Sequence, residues 1–169
     1  MAIEIERKFL VRGNLLPHLE LGQRIVQGYL CEEPQIRFRL LENKIVITLK
    51  KVQPDGSRFE LETEKDMALP EEGSALLNLA IYPVVEKVRY RLPFAGLTWE
   101  VDVYQGENQG LITVDVELPS LDFPVVFPDW VDQEREITHD PRYFNTNLGK
   151  TPFSHWGQGE IGNNLYPRV

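Results

Sequence analysis

Apolar and polar residues alternate with period two in eight stretches of this chain: Met1–Val11, Arg24–Leu30, Gln35–Leu41, Lys44–Lys50, Arg58–Glu64, Val85–Leu92, Leu97–Tyr104 and Leu111–Leu118. Each is about strand length, rich in Val, Ile, Phe, Thr and Tyr, and bounded by Gly, Pro, Asn or Asp, which is the signature of half-buried strands. Short connections at 41–44, 93–96 and 105–110 favour antiparallel pairing of neighbours. Eight such strands are enough to close a barrel. Two stretches are helical instead. Residues 70–80 place Leu76, Leu79 and Ala80 at helical spacing behind Pro70 and two acids, with Pro83 just beyond. Asp140-Pro141 reads as an N-cap followed by Pro at the first helical position, with Gly149 as the stop. Residues 1–148 form one domain on this reading, and 149–169 a tail or outer wrap.

The polar positions of these strands are mostly charged. Residues two apart share a face, so Glu4, Glu6 and Lys8 oppose Ile3, Ile5 and Phe9. Likewise Arg37 and Arg39 oppose Phe38, and Lys87, Arg89 and Arg91 oppose Val88 and Tyr90. Lys44 and Lys50, the set Arg58, Glu60, Glu62 and Glu64, the pair Glu100 and Asp102, and the pair Asp115 and Glu117 follow the same rule. A solvated sheet face explains charge in general. It does not explain why acids and bases segregate by strand, because like charges side by side repel unless something offsets them. Metal ions offset carboxylates, and phosphate offsets Arg and Lys. Closing the sheet with its charged face inward gives a polar lumen and an apolar exterior under the helices and tail, with Trp99, Trp130, Phe38 and Tyr90 in that core. Closing it the other way gives a lipocalin-like apolar cavity. Periodicity alone does not separate the two.

Composition narrows the field. The chain has 169 residues and a net charge of −8, from 26 acids and 18 bases. The charged faces hold nine of each, so the whole net charge falls on the rest of the chain. An acidic outer skin disfavours nucleic acid but leaves a phosphate-rich ligand in the lumen possible. Cys31 stands alone, which excludes an internal disulfide framework and fits a reducing, cytoplasmic setting. No apolar run approaches a membrane span, and the N-terminus shows no secretory signal pattern. No Cys/His set has zinc spacing and no Gly-rich phosphate loop is present. Tyr29 is either a gate at the lumen mouth or a packing residue, and His139 is an exposed residue at a helix start.

Glu4-Ile5-Glu6-Arg7-Lys8 resembles the ExExK signature of the CYTH superfamily, the triphosphate tunnel metalloenzymes. Gln27-Gly28-Tyr29-Leu30, Arg37-Phe38-Arg39, Thr48-Leu49-Lys50, Glu60-Leu61-Glu62 and Lys87-Val88-Arg89 resemble that family's successive strand motifs in order. Trp99-Glu100-Val101-Asp102, Asp115-Val116-Glu117 and residues 138–143 continue the series. Two positions depart: Asp115 stands where Glu is usual, and Asp132 stands near Trp130 where Gly is frequent. The resemblance implies a mainly β (α+β) fold, a closed eight-stranded antiparallel β-barrel with a charged lumen and a few flanking helices. It implies metal-dependent hydrolysis of a triphosphate, inorganic tripolyphosphate first, with two Mg²⁺ or Mn²⁺ ions. Glu4, Glu6, Lys8, Glu60 and Glu62 would be catalytic, and Lys8, Arg37, Arg39, Lys50, Lys87 and Arg89 would clamp the triphosphate. Glu4, Glu6, Glu62, Asp102, Asp115 and Glu117 would ligate metal. A class IV adenylate cyclase and a non-catalytic polyphosphate-binding module are the alternatives, and pairing into a homodimer is expected.

Overall fold

The computed structural model of the chain describes residues 5–56 and 58–157. It contains nine strands: β1 (Ile5–Val11), β2 (Gln23–Glu32), β3 (Gln35–Leu40), β4 (Lys44–Val52), β5 (Arg58–Asp66), β6 (Val85–Phe94), β7 (Leu97–Tyr104), β8 (Ile112–Leu118) and β9 (Val131–Glu136). Two α-helices accompany them, α1 (Pro70–Leu79) and α2 (Asn145–Lys150). All eight alternating stretches form strands over their described residues. The ninth differs from expectation: VDQERE has no alternation to find, because β9 is a polar edge strand that pairs with β1 only along Phe9–Val11. The strands form one antiparallel sheet in the order β5-β4-β3-β2-β6-β7-β8-β1-β9, so β5 and β9 are its two edges.

Local chemistry sets the connections. The β6–β7 hairpin turns through Ala95 and Gly96, both at positive φ (50° and 80°), as a tight turn matched to sheet twist requires. Helix α1 opens at Pro70, and the Glu72 carboxylate accepts from the Ala68 N–H at 2.9 Å, satisfying a donor that precedes the first turn. The expected C-terminal helix breaks in two. Asp140 caps a 3-10 turn at Pro141–Tyr143, and α2 then runs through Gly149 rather than stopping there. Gly149 is required for closeness: a Cβ would lie 2.7 Å from the Pro83 carbonyl oxygen.

The apolar exterior is covered, mainly by loops rather than by the helices. Phe9, Val11, Trp99, Val101, Val114 and Val116 are buried beneath Leu16 and Leu19 of one loop and Phe123, Val125 and Phe127 of another. Trp99 packs against Phe127 and Trp130 at ring distances of 5.7 and 6.3 Å. A second cluster joins Leu10, Val85, Tyr104 and Leu111 to Tyr143, Leu148, Phe153 and Trp156. Phe153 and Trp156 thus bring residues 149–157 against the domain, while 158–169 lie outside the described residues. Among the described residues no helix is long and apolar enough to cross a membrane.

Candidate functional site

Strand register decides which charges meet. Lys8 pairs with Asp115, Asp115 with Glu100, and Glu100 with Arg91. One step along, Arg89 pairs with Asp102 and Asp102 with Thr113. On the other half, Tyr29 pairs with Arg37, Arg37 with Thr48, and Thr48 with Glu62; Lys50 faces Gln35 and Glu60. Because side chains alternate sides, all of these point to one face of the sheet. That face is concave. Lys8 of β1 and Lys50 of β4 line a single cavity of about 470 Å³ together with Tyr29. They are six strands apart in the sheet order, roughly 29 Å on a flat sheet at about 4.8 Å per strand. The sheet must therefore curl, with its charged face inward. Buried Gln27, Thr48, Lys87, Arg89, Asp102 and Asp115 confirm the sense of the curl.

The charges fall into two groups. In the β6–β7–β8–β1 quarter, acids and bases neutralise one another. Asp102, wholly buried, receives Arg89 through Nε at 2.7 Å and Nη2 at 2.9 Å, and meets Lys87 Nζ at 2.9 Å. Arg89 also reaches Asp115 at 3.7 Å and Glu100 at 3.5 Å, and Lys8 lies 3.5 Å from Asp115. Burial would raise the Asp102 carboxyl, but Lys87 and Arg89 hold it well below the usual carboxylate range. Burial likewise opposes the charge on Lys8, yet Asp115 keeps its ammonium well above the usual value. Lys87 goes the other way. Burial, helped by Arg89, Arg39 and Lys8 and opposed by Asp102, pushes it down to about 8.

The second group, on β3, is uncompensated. Arg37 Nη2 donates to Thr48 at 3.3 Å, and Arg39 Nε donates to the Gln27 oxygen at 3.2 Å. Both acceptors are neutral. No carboxylate among the described residues forms an ion pair with either arginine, and the buried Arg37 Nε has no hydrogen-bond partner. Burial, then Arg37 and Arg89, push the Arg39 guanidinium down to about 10. An arginine does not give up its proton in a protein, so Arg39 stays a buried cation whose hydrogen-bond partner is neutral.

The carboxylates are more dispersed. Glu6 and Glu117 are direct cross-strand partners beside the Lys8–Asp115 pair. Partial burial and the Asp115 charge push the Glu6 carboxyl up, a strain that a bound cation would relieve. Glu60 and Glu62 lie on edge strand β5. Thr48 donates to Glu62 at 3.1 Å, and Lys50 approaches Glu60 at 3.9 Å. Among the described residues no three Asp, Glu, His or Cys groups converge to hold a cation, and Glu4 lies outside them. The donor chemistry of Glu6, Asp115 and Glu117, oxygen only, fits a hard divalent ion. Sequence reasoning assigned no role to Gln27 and Thr48, the buried neutral groups that orient Arg39 and Arg37. Their signals were a polar side chain on the inward parity of β2 and β4 and a place in the strand motifs Gln27–Leu30 and Thr48–Lys50. His139 is exposed, as expected.

No family model matches the chain. A curated inorganic triphosphatase of Acetivibrio thermocellus is 39% identical over 158 residues, covering 92% of this chain and 99% of the relative. The chain belongs to the CYTH-type inorganic triphosphatase family. A second relative, the inorganic triphosphatase of Nitrosomonas europaea, is 35% identical over 158 residues, covering 86% and 95% of the two chains. A crystal structure of an inorganic triphosphatase superposes with a TM-score of 0.66 at 32% identity, covering 88% of this chain and 95% of that one. The CYTH family thus accounts for the curled antiparallel sheet and for the inward turn of its charges.

Proposed function

We propose that the chain hydrolyses inorganic triphosphate, with a divalent metal, to diphosphate and orthophosphate. The observation that carries this reading is the pair of β3 arginines. They lie on the inner face of the curled sheet, held in place by Thr48 and Gln27, and no carboxylate among the described residues pairs with them. A fully extended phosphate chain carries several negative charges and accepts hydrogen bonds from many directions. Arg37 and Arg39 receive it from one wall, Lys8 and Lys87 from the opposite one, and Lys50 at the cavity. Arg89 is held by Asp102 and fixes the position of that opposite wall. Asp102 serves in our reading as the residue that orders Lys87 and Arg89, since three ion-pair contacts occupy both of its oxygens.

Glu6, Asp115 and Glu117, with Glu4, would hold a divalent ion, Mg²⁺ or Mn²⁺; Glu60 and Glu62 would hold a second. When bound, such an ion polarises phosphoryl oxygens and neutralises the charge that develops there. The protein groups do the remainder. Their fixed cations stabilise charge on the equatorial oxygens of the transferring phosphoryl group without reorganising. The curled sheet limits access of bulk water to the lumen. Full closure of the tunnel, by β5 approaching the free half of β1, belongs to the same proposal.

The test is a product assay with tripolyphosphate and with ATP, in Mg²⁺ and in Mn²⁺. Orthophosphate from tripolyphosphate, reduced by a factor of about ten or more in Arg37→Ala and Arg39→Ala, is expected. Cyclic AMP from ATP would indicate the cyclase instead. Tight tripolyphosphate binding without turnover would indicate a binding module.

A further inference from the structure

Arg39 and Arg89 stand in the same relation to a neighbouring strand and meet opposite partners there. Arg89 of β6 faces Asp102 of β7 across the register, and the carboxylate takes its Nε at 2.7 Å and its Nη2 at 2.9 Å. Arg39 of β3 faces Gln27 of β2, and a wholly buried amide oxygen takes its Nε at 3.2 Å. We propose that Gln27 is a positioning residue that keeps Arg39 unpaired for phosphate, its neutrality lowering folding stability and raising anion affinity. This rests on the triphosphatase reading of the lumen.

Shape does not account for the amide. Gln and Glu share one outline, and a carboxylate oxygen would accept from the Arg39 Nε more strongly. The far end of the side chain is permissive as well. Gln27 Nε2 donates to the Tyr29 hydroxyl at 3.4 Å, and a hydroxyl can turn to donate to a carboxylate instead. Charge is therefore what the amide withholds, although the surroundings favour an anion. Burial, then Arg37 and Arg89, oppose the Arg39 cation; Asp102 favours it, but Lys87 and Arg89 occupy both Asp102 oxygens. On the β4 side Arg39 faces Val46, which brings no charge. A buried cation without its anion costs stability. A role limited to fixing Arg39 would be served better by a carboxylate, as Asp102 serves Arg89.

Gln27→Glu reverses the arrangement at constant shape. Thermal unfolding of the intact chain without ligand reads the stability, and titration calorimetry with tripolyphosphate, without divalent metal, reads the affinity. Tm should stay at or above the wild-type value while tripolyphosphate affinity falls about tenfold or more, the scale of one charge-assisted hydrogen bond. Gln27→Met removes the acceptor and adds no charge. It should lower Tm and lose less affinity than Gln27→Glu. A Gln27→Glu chain that is less stable than wild type or fails to fold overturns the proposal. So does one whose affinity falls no further than that of Gln27→Met. Arg39→Ala tells this failure from that of the underlying reading. If Arg39→Ala keeps the wild-type affinity, Arg39 is no phosphate ligand, and the proposal falls with that assignment. If it lowers the affinity and Gln27→Glu does not, only the role of Gln27 falls.

Discussion

Asp102→Asn tests the idea that one carboxylate organises half of the lumen. The substitution keeps the volume and removes the charge, leaving Lys87 and Arg89 buried without the anion that receives both of them. Breaking a buried pair by removing one partner costs about 3–5 kcal/mol. Asp115 and Glu100 still lie 3.7 and 3.5 Å from Arg89, so the lower end, about 3 kcal/mol, is expected. A chain of this size loses roughly 2–4 °C of Tm per kcal/mol, which places the drop at about 6–12 °C in a thermal scan. Tripolyphosphate added without metal should recover part of it, since the ligand brings a replacement anion beside Lys87 and stabilises only the folded state. A Tm within about 2 °C of wild type would show that Asp102 does not bear this load. A full-size drop that tripolyphosphate leaves untouched would refute a phosphate site beside Lys87.

Trp99→Ala empties the centre of the outer core, where Trp99 is fully buried between Phe127 and Trp130; about 3–5 kcal/mol should be lost, read as a shift in urea midpoint. Gly149→Ala drives a methyl towards the Pro83 carbonyl, a rigid neighbour, and should cost about 1–3 kcal/mol by the same measurement. The Arg7 guanidinium holds the Glu136 carboxyl below its ordinary value through contacts at 3.1 and 2.6 Å. That pair therefore stabilises the fold above the ordinary glutamate range and loses its contribution as pH falls through the lowered value. Being partly exposed, it is worth at most about 1 kcal/mol; Arg7→Ala should flatten this part of the acid limb in a pH series of unfolding midpoints.

How much of this was legible in the sequence depends on the element. The eight alternating strands were, because a sheet with one charged and one apolar face writes a period-two pattern. Strand β9 was not, since its six residues pair along a short edge and need no apolar face. The C-terminal segment misled for a related reason. Gly149 looks like a helix stop, but it is the one residue small enough to pass Pro83, and Phe153 and Trp156 beyond it enter a core that only tertiary contact reveals. Side-chain parity grouped Lys8, Arg37, Arg39, Lys50, Lys87 and Arg89 correctly on one face. It could not show that Gln27 and Thr48 orient the arginines, nor that Asp102 is committed to two cations.

Segregation of charge by strand admits a sharper account than a blanket need for ligands. A basic strand beside an acidic one is self-neutralising; β6 against β7 does this across the register, and between β1 and β8 the Lys8–Asp115 pair does so. Those charges therefore contribute fixed geometry more than net attraction. Strand β3 is different because its neighbours β2 and β4 present Gln27, Tyr29, Val46 and Thr48 opposite its arginines. A basic strand whose facing residues on both neighbours are neutral has no internal way to discharge. The same chemistry, two arginines at alternate positions, is thus structural or ligand-seeking according to the strand laid beside it.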